Sequence, residues 1–354
     1  MQPLMLGDDV VQKNDADEMK PYPTCRHDMA TLEVLQVLPM KQKVLESRIR
    51  IAEWYDYWEG KVYVSFSGGK DSTVLLNLVR RDFPDVPGVF VNTGLEFPEI
   101  VKFVKFHDNI VRLRPKMTFK RVLEHYGYPV VSKKMAQYIG EVQRTKSPHL
   151  RKLRLEGIRK DGTFSKLARI SKKWQYLIDA PFKISDKCCN VMKKDPMSKY
   201  SKETGRKPYI GLMAAESRER MSGYVINGCN AYALTHARSA PLIFWSEKDI
   251  WEYLREYDIP YCDIYDKTDL ERTGCVFCAF GCHLEKMEKN RFQQLQKSHP
   301  KLHRYCMERL GMREVLEYCG IEWCDESLPY DMPDDEIVET VIETLLEEGE
   351  ITKK

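Results

Sequence analysis

Six consecutive residues, Ser67-Gly-Gly-Lys-Asp-Ser72, bring together two hydroxyls, two glycines, one ammonium and one carboxylate. Gly68 and Gly69 permit positive φ and close approach of a ligand to the backbone, and Lys70 adds a point charge. Set before a helix, such a turn suits an anion, because the first N–H groups and the positive dipole end of the helix face it. Ser67, Gly68, Gly69, Lys70 and Ser72 are therefore candidate phosphate-binding residues, with Asp71 as the nearest carboxylate for a magnesium ion. The G-x-x-x-x-G-K-[ST] spacing of a Walker A loop is absent.

A second set of residues able to do chemistry is sulfur. The chain has 11 cysteines, including the adjacent pair Cys188-Cys189 and the spaced group Cys275-x-x-Cys278 with Cys282-His283 close behind. Adjacent cysteines cannot share one face of a regular helix or strand. A bent backbone can still offer both thiolates to a multi-iron cluster, whose irons accept ligands from different directions. Zinc held among Cys262, Cys275, Cys278 and Cys282 or His283 is a second reading, and small buried thiols without a metal a third. So many cysteines in a chain of this kind argue for metal or catalysis rather than disulfides.

The elements that must position these groups follow from periodicity. Val62 to Phe66 is a β-branched and aromatic run that predicts a buried strand, and Thr73 to Arg80 predicts an amphipathic helix, which makes Ser67 to Ser72 the turn between them. Val86 to Asn92 predicts a second strand and Asn109 to Leu113 a third. Strand, helix, strand at this spacing is a βαβ unit, so a parallel sheet is expected with its ligand crevice at the carboxyl ends of the strands. Thr93, Gly94 and Glu96, just past the second strand, then face the same crevice as the loop, as does Gly211 at the end of a later strand. Upstream, Thr31 to Trp58 has helical spacing broken near Pro39. Pro241 to Leu254 predicts a core helix capped by Ser246, Phe292 to Leu316 predicts further helices, and Asp334 to Glu348 an acidic amphipathic one.

At 354 residues the chain can bury a large core. The formal net charge of +3 conceals an asymmetry: Arg112 to Lys173 holds 18 Lys/Arg against 4 Asp/Glu, whereas Asp325 to Glu350 holds 11 Asp/Glu and no Lys/Arg. The middle should attract polyanions and the tail repel them. Tyr138, His149, Phe164 and Trp174 interleave the cations and could stack on bases, so nucleic acid is one candidate partner and a solvated helical face the other reading. No apolar run is long enough to span a membrane and no signal-peptide core opens the chain, which leads to the expectation of a soluble, cytoplasmic protein. The organisation expected is a mobile arm over residues 1–30, a nucleotide-binding domain over 31–283 with the basic insertion at about 112–173, and a helical region over 284–354 with an acidic tail.

Ser67 to Ser72 resembles the pyrophosphate loop of the ATP pyrophosphatases, and Asn92-Thr-Gly-Leu-Glu-Phe-Pro-Glu99 resembles the T-G-x-x-F-P-E segment of the phosphoadenosine phosphosulfate reductase family. Tyr209 to Arg220 and Pro241 to Leu254 are similar to two further segments of that family, with Met213 standing where an arginine is frequent. The resemblance runs through five ordered motifs from about Lys61 to His283. It implies an α/β, Rossmann-like doubly wound parallel sheet of the adenine nucleotide alpha hydrolase-like kind, followed by a helical, cysteine-bearing region. Arg218 and Arg220 would neutralise phosphate charge. The cysteine pattern looks like the [4Fe-4S] motif of assimilatory adenylyl-sulfate reductases, which implies Cys188, Cys189, Cys275 and Cys278 as ligands, with Cys282 and Cys262 as possible replacements.

Two activities are compatible with this resemblance. In one, ATP with Mg²⁺ is held in the loop, Lys70, Asp71, Arg218 and Arg220 act in AMP transfer, and pyrophosphate release drives sulfur transfer, with nucleic acid as an acceptor. This is similar to the iron–sulfur enzymes of DNA phosphorothioation and to proteins encoded with ParB-like partners. In the other, an adenylyl sulfonucleotide is reduced to sulfite with a thioredoxin-like reductant. Reductases of this kind carry a catalytic cysteine in a terminal E-C-G-[IL]-H motif, for which this chain offers only Tyr318-Cys-Gly-Ile-Glu322. The intact loop and the missing motif favour ATP. A non-catalytic nucleotide sensor is the alternative outside enzymology.

Overall fold

The computed structural model describes residues 27–328, apart from 233–236, 269, 271 and 286–288. Residues up to 26 of the expected arm, and residues 334–348, expected to form an acidic helix, lie outside the described residues. Met29 and Ala30, read with the arm, open the helix Met29–Gln36, which Asp28 caps by accepting the Thr31 N–H at 2.8 Å.

Strands β1 (Val62–Ser65), β2 (Gly88–Val91), β3 (Ile110–Leu113), β4 (Val130–Val131), β5 (Lys207–Tyr209), β6 (Asn230–Ala231), β7 (Arg238–Ser239) and β8 (Ala279–Phe280) form two sheets. The larger has the order β3-β2-β1-β5-β7-β6, parallel throughout except for β6 against β7. The three-strand βαβ core expected from sequence is its first half. From β1 the chain builds outward through β2 and β3, then crosses to the other side with β5. The order therefore reverses between β1 and β5, and in open α/β sheets the ligand crevice lies outside the carboxyl ends of the strands at that reversal. The loop Ser67 to Ser72 follows β1 and Gly211 follows β5, so sheet order alone puts them at one place.

Helices flank the sheet as the periodicity requires. Met40–Tyr57 starts after Pro39 and buries Met40, Val44, Ser47, Ile51 and Trp54, spaced by four, three, four and three. Its Ser47 hydroxyl accepts the Trp245 indole N–H at 2.9 Å and donates to the Pro241 carbonyl at 3.0 Å. Glu247–Glu256 starts at Ser246 in a capping box with Asp249, as read from sequence. The second sheet is small: β4 and β8 pair in parallel, Val130 with Ala279 and Val131 with Phe280. It joins the root of the basic insertion to the residues just after Cys278. No helix among the described residues is long and apolar enough to cross a membrane.

Candidate functional site

Lys70–Asp82 is a 13-residue helix whose N-cap is Gly69, so helical structure begins inside the loop, three residues earlier than Thr73. Lys70, Asp71 and Ser72 thus form the first turn, where backbone N–H groups have no partner within the helix. The two glycines serve different needs. Gly68 has φ +75°, the left-handed region. Gly69 has φ −78°, which any residue adopts, and what it requires is space: a Cβ there would stand 2.8 Å from Thr273 Oγ1. The expected positive φ at Gly69 is corrected accordingly. Ser72 Oγ accepts the Ser67 N–H at 3.1 Å, lies 3.1 Å from Ser67 Oγ, and donates to the Gly69 carbonyl at 2.9 Å, so the hydroxyls brace the loop.

Lys70 is 3% exposed. Its ammonium lies 3.1 Å from Glu247 Oε1 and near the faces of Tyr265 and Trp251. Its backbone N–H donates to the Tyr265 hydroxyl at 3.2 Å, which in turn is 2.9 Å from Thr273 Oγ1. Tyr265, Thr273, Glu247 and Trp251 thus close over the loop. Sequence alone marks none of them as loop contacts: Tyr265 and Thr273 lie far along the chain and belong to no local motif, while Glu247 and Trp251 fall within Pro241 to Leu254, which reads as a core helix. The Asp71 carboxyl is pushed above its usual range by burial, which outweighs the neighbouring Lys70, and its Oδ1 is buried without a hydrogen-bond partner. That oxygen lies 3.9 Å from the Lys70 ammonium, and a buried carboxylate oxygen without a hydrogen bond beside such a loop has the donor chemistry for a hard divalent cation such as Mg²⁺.

After β2, Glu96 folds back on its own turn: its carboxylate accepts the Thr93 N–H at 2.9 Å, the Thr93 hydroxyl at 2.8 Å and the Leu95 N–H at 3.3 Å. Gly94 has φ +71° and donates to Asn92 Oδ1 at 3.1 Å. Thr93 and Glu96 therefore shape the turn. Gly211 packs on the loop backbone, since a Cβ there would be 3.4 Å from the Asp71 carbonyl. Arg220 pairs with Glu216, which is also 3.5 Å from Arg272, and Arg220 is close enough for its charge to favour the Asp71 carboxylate. Burial followed by the like charge of Arg272 lowers Arg220 below the usual arginine range. Arg218 is exposed on the first turn of Arg218–Asn227. Of the two arginines named from sequence, the structure brings Arg220 to the loop.

The four cysteines of the expected cluster line one cavity with Leu95, Phe119, Pro129, Met192 and Lys193, about 310 Å³ of empty space counting its open mouth. Cys189 is the N-cap of a π-helical turn, Asn190–Lys194, and this widened backbone leaves the Cys188 and Cys189 sulfurs 4.0 Å apart. The adjacent thiols share a proton, which raises Cys188 and lowers Cys189, and Lys133, Lys193 and Lys194 further favour the Cys189 thiolate. Burial pushes Cys275 up to about 11 and Cys278 upward. Burial alone would lower Lys193, but Cys275, Glu96 and Cys189 hold it above the ordinary lysine range. Four thiols lining one cavity beside an ammonium have the donor chemistry of an iron–sulfur cluster. Among the described residues no group of three or more His, Cys, Asp or Glu side chains is placed to hold a metal ion, which bears equally on the cluster and the zinc readings.

Cys262 and Cys282, the possible replacement ligands, are buried and are not among the residues lining that cavity. Burial and then Glu285 push Cys282 up to about 12. Cys319 is buried too, and burial alone pushes it up to about 12. The cysteine loop is tied on both sides: Val276 N donates to the Leu95 carbonyl at 2.8 Å, and an Arg291 guanidinium N–H donates to the Cys278 carbonyl at 3.1 Å. Pro129 to Lys134 supplies β4 and two lysines, Lys133 near Cys189 and Lys134 over the Tyr138 ring.

Residues 61–169 and 132–281 match the model of the phosphoadenosine phosphosulfate reductase domain. Two uncharacterised proteins of Methanocaldococcus jannaschii are 26% identical over 268 and 261 residues, 71% of this chain in each case. The chain covers 49% and 42% of those proteins, so it spans about half the length of these curated relatives. An adenosine 5'-phosphosulfate reductase of Staphylococcus epidermidis is 26% identical over 231 residues, 64% of this chain and 74% of that protein. A phosphoadenylyl-sulfate reductase of Candida auris, solved as a phosphate complex, aligns with 70% of this chain and 95% of its own at 13% identity and a TM-score of 0.38. With the family model spanning β1 to just past β8, the chain belongs to the phosphoadenosine phosphosulfate reductase domain family.

Proposed function

We propose that the protein is an adenine-nucleotide enzyme of sulfur metabolism that holds ATP by its outer phosphates at Ser67 to Ser72 and transfers AMP to an acceptor. The observation that carries this reading is the loop itself, complete in all six residues and seated at the sheet's reversal point on the N-terminus of a 13-residue helix. An acceptor oxygen attacks the α-phosphorus, the bond from that phosphorus to the bridging oxygen breaks, and pyrophosphate leaves with the electron pair. The loop amides and the Lys70 ammonium would stabilise the charge that collects on those oxygens, once the nucleotide displaces Glu247 from the ammonium and the Tyr265 hydroxyl from the Lys70 amide. Asp71, helped by Arg220, would hold Mg²⁺, which supplies further positive charge to the departing phosphates.

A sulfur nucleophile of the hydrosulfide class then attacks the acceptor's own carbon or phosphorus, the atom that bears the adenylylated oxygen; the bond from that atom to the oxygen breaks, and AMP leaves with the oxygen and its electron pair. Cys188, Cys189, Cys275 and Cys278 would hold a [4Fe-4S] cluster, which anchors the Cys-Cys turn to the cysteine loop and sets the charge beside Lys193.

A second reading, sulfonucleotide reduction to sulfite, is favoured by the names of the curated reductases that the chain resembles. It needs a thiolate nucleophile, and Cys319 is buried with its thiol pushed up to about 12. The two are separated by anaerobic assay of the cluster-loaded protein: pyrophosphate from ATP supports the first, and sulfite from adenylyl or phosphoadenylyl sulfate the second. Nucleotide binding with neither product sinks both and leaves the sensor.

A further inference from the structure

Outside the nucleotide and cysteine sites, the feature without a role is the insertion that leaves the small sheet at β4 and returns at Ile184, which bridges Tyr128 in parallel. It is built as a rigid platform. Helix Lys133–Arg144 is capped by Ser132 and helix Pro148–Glu156 by Ser147, and Gly157, at φ +82°, ends the second. Arg154 locks the two together: its guanidinium donates to Glu141 at 2.7 Å and to the Ala168 carbonyl at 2.9 Å while lying 3.5 Å from the Tyr138 ring. Ala136, Ile139, Ile170 and Leu177 are fully buried beneath it.

The charges on this platform are not those of an ordinary solvated face. Elsewhere in the chain exposed cations pair with acids one helical turn away, as in Lys199–Glu203, Arg304–Glu308 and Arg313–Glu317. On the platform Arg154–Glu141 is the internal pair, and it serves packing. Lys146, Arg151, Lys152, Arg159, Lys160 and Lys166 are exposed, and none of the ion pairs found among the described residues includes them. Helix Pro148–Glu156 buries no residue at all. Next to these cations Phe164 is 61% exposed, with the Arg169 guanidinium 5.6 Å from its ring. Arg159 acts on the neighbouring Asp161, but exposed cations outside any ion pair, on a fixed frame beside an exposed aromatic ring, have the composition of a surface for phosphate backbone and unstacked bases.

Its location fits that use. β4, at the platform's root, pairs with the two residues that follow Cys278, and Trp174 packs edge-on against His283 with ring centroids 4.9 Å apart. These contacts tie the platform's root and its last aromatic to the cysteine loop.

We propose that this platform binds a single-stranded segment of nucleic acid and presents it to the site. The inference rests on the sulfur-transfer reading for what happens to the strand, but not for whether it binds. Binding of the full-length protein to a fluorescein-labelled 20-nucleotide strand of mixed sequence, and to its duplex, is followed by anisotropy at several salt concentrations. The expected result is preferential, salt-dependent binding of the single strand. Arg151→Glu with Lys152→Glu weakens it about tenfold or more and reduces the slope of log K against log salt by about 1.4, two phosphate contacts at about 0.7 each. Phe164→Ala weakens the single strand but not the duplex, and ATP affinity and the melting temperature of all variants stay at the native value.

No binding, equal binding by the Arg151/Lys152 variant, or a preference for duplex overturns the proposal. Because the readout is binding without turnover, loss of the ATP activation reading would leave this result standing, and loss of this result would leave that activity untouched.

Discussion

Val276 donates its backbone N–H to the carbonyl of Leu95 at 2.8 Å. Leu95 sits in the turn after β2, between the phosphate loop and the sheet edge, and Val276 lies between Cys275 and Cys278. One hydrogen bond therefore joins the strand-end turn of the nucleotide crevice to the loop that carries half of the cysteine cavity, and Leu95 itself lines that cavity. Leu95 thus belongs to both sites.

Val276→Pro deletes this donor while leaving both cysteines in place. Iron content after anaerobic reconstitution and nucleotide affinity should fall together, whereas Val276→Ala should leave both near native. A variant that loses iron but binds nucleotide normally would show the two loops to be independent.

The Lys70 ammonium is drawn toward Glu247, on the helix that starts at Ser246. A nucleotide must compete with that carboxylate for it. Glu247→Gln should tighten ATP binding by about two- to fivefold, the worth of a partly exposed ion pair of up to about 1 kcal/mol. Lys70→Ala should weaken it by about 2 kcal/mol, the value of a charge-assisted hydrogen bond. Titration calorimetry measures both, and a Glu247→Gln variant that binds ATP more weakly would mean that the carboxylate orients Lys70 instead of competing for it.

The motifs that were legible in the sequence are those whose residues are neighbours in the chain. Ser67 to Ser72 and Asn92 to Glu99 declare a strand end, a turn and a helix start within eight residues, and β1 to β3 followed from them. The later strands β6 and β7 are two residues each, too short for any period to register. Tyr265 and Thr273 reach the loop from about 200 positions away, and nothing in Ile264–Lys267 marks that helix as part of a phosphate site. Spacing could name six cysteines as candidates, but only packing separates Cys188, Cys189, Cys275 and Cys278 from Cys262 and Cys282. Gly69 shows the same limit at one residue, because the sequence says glycine and only the structure says whether φ or space demands it.

Tyr265 tests how the loop is closed. Its hydroxyl takes the Lys70 N–H that a phosphate oxygen would otherwise accept. Tyr265→Phe keeps the ring beneath the ammonium and frees that amide, so stability should fall by about 1 kcal/mol for the lost hydrogen bond. Nucleotide affinity should rise at the same time. If affinity falls instead, the hydroxyl contacts the nucleotide directly and is not a stand-in for its phosphate.

On the helix whose Glu247 meets Lys70, Asp249 forms a buried pair with Lys43, Nζ to Oδ2 at 2.7 Å, that fastens Met40–Tyr57 to Glu247–Glu256. Burial alone would raise the Asp249 carboxyl, but Lys43 and the amide and hydroxyl of Ser246 outweigh it and hold the group below its ordinary value of 3.8. A carboxyl lowered by folding stabilises the fold above that ordinary value, and the contribution is lost as pH falls through the lower folded value. Lys43→Met strands the carboxylate and should cost about 3–5 kcal/mol at pH 7. Below about pH 4 the carboxyl takes up a proton in the variant before it does so in the native protein, so the gap between the two should narrow steadily with further acidification. Urea unfolding of both proteins at pH 7 and pH 3 measures that gap, and a gap of equal size at the two pH values would mean that the lost stability comes from packing of the Lys43 stem and not from its charge.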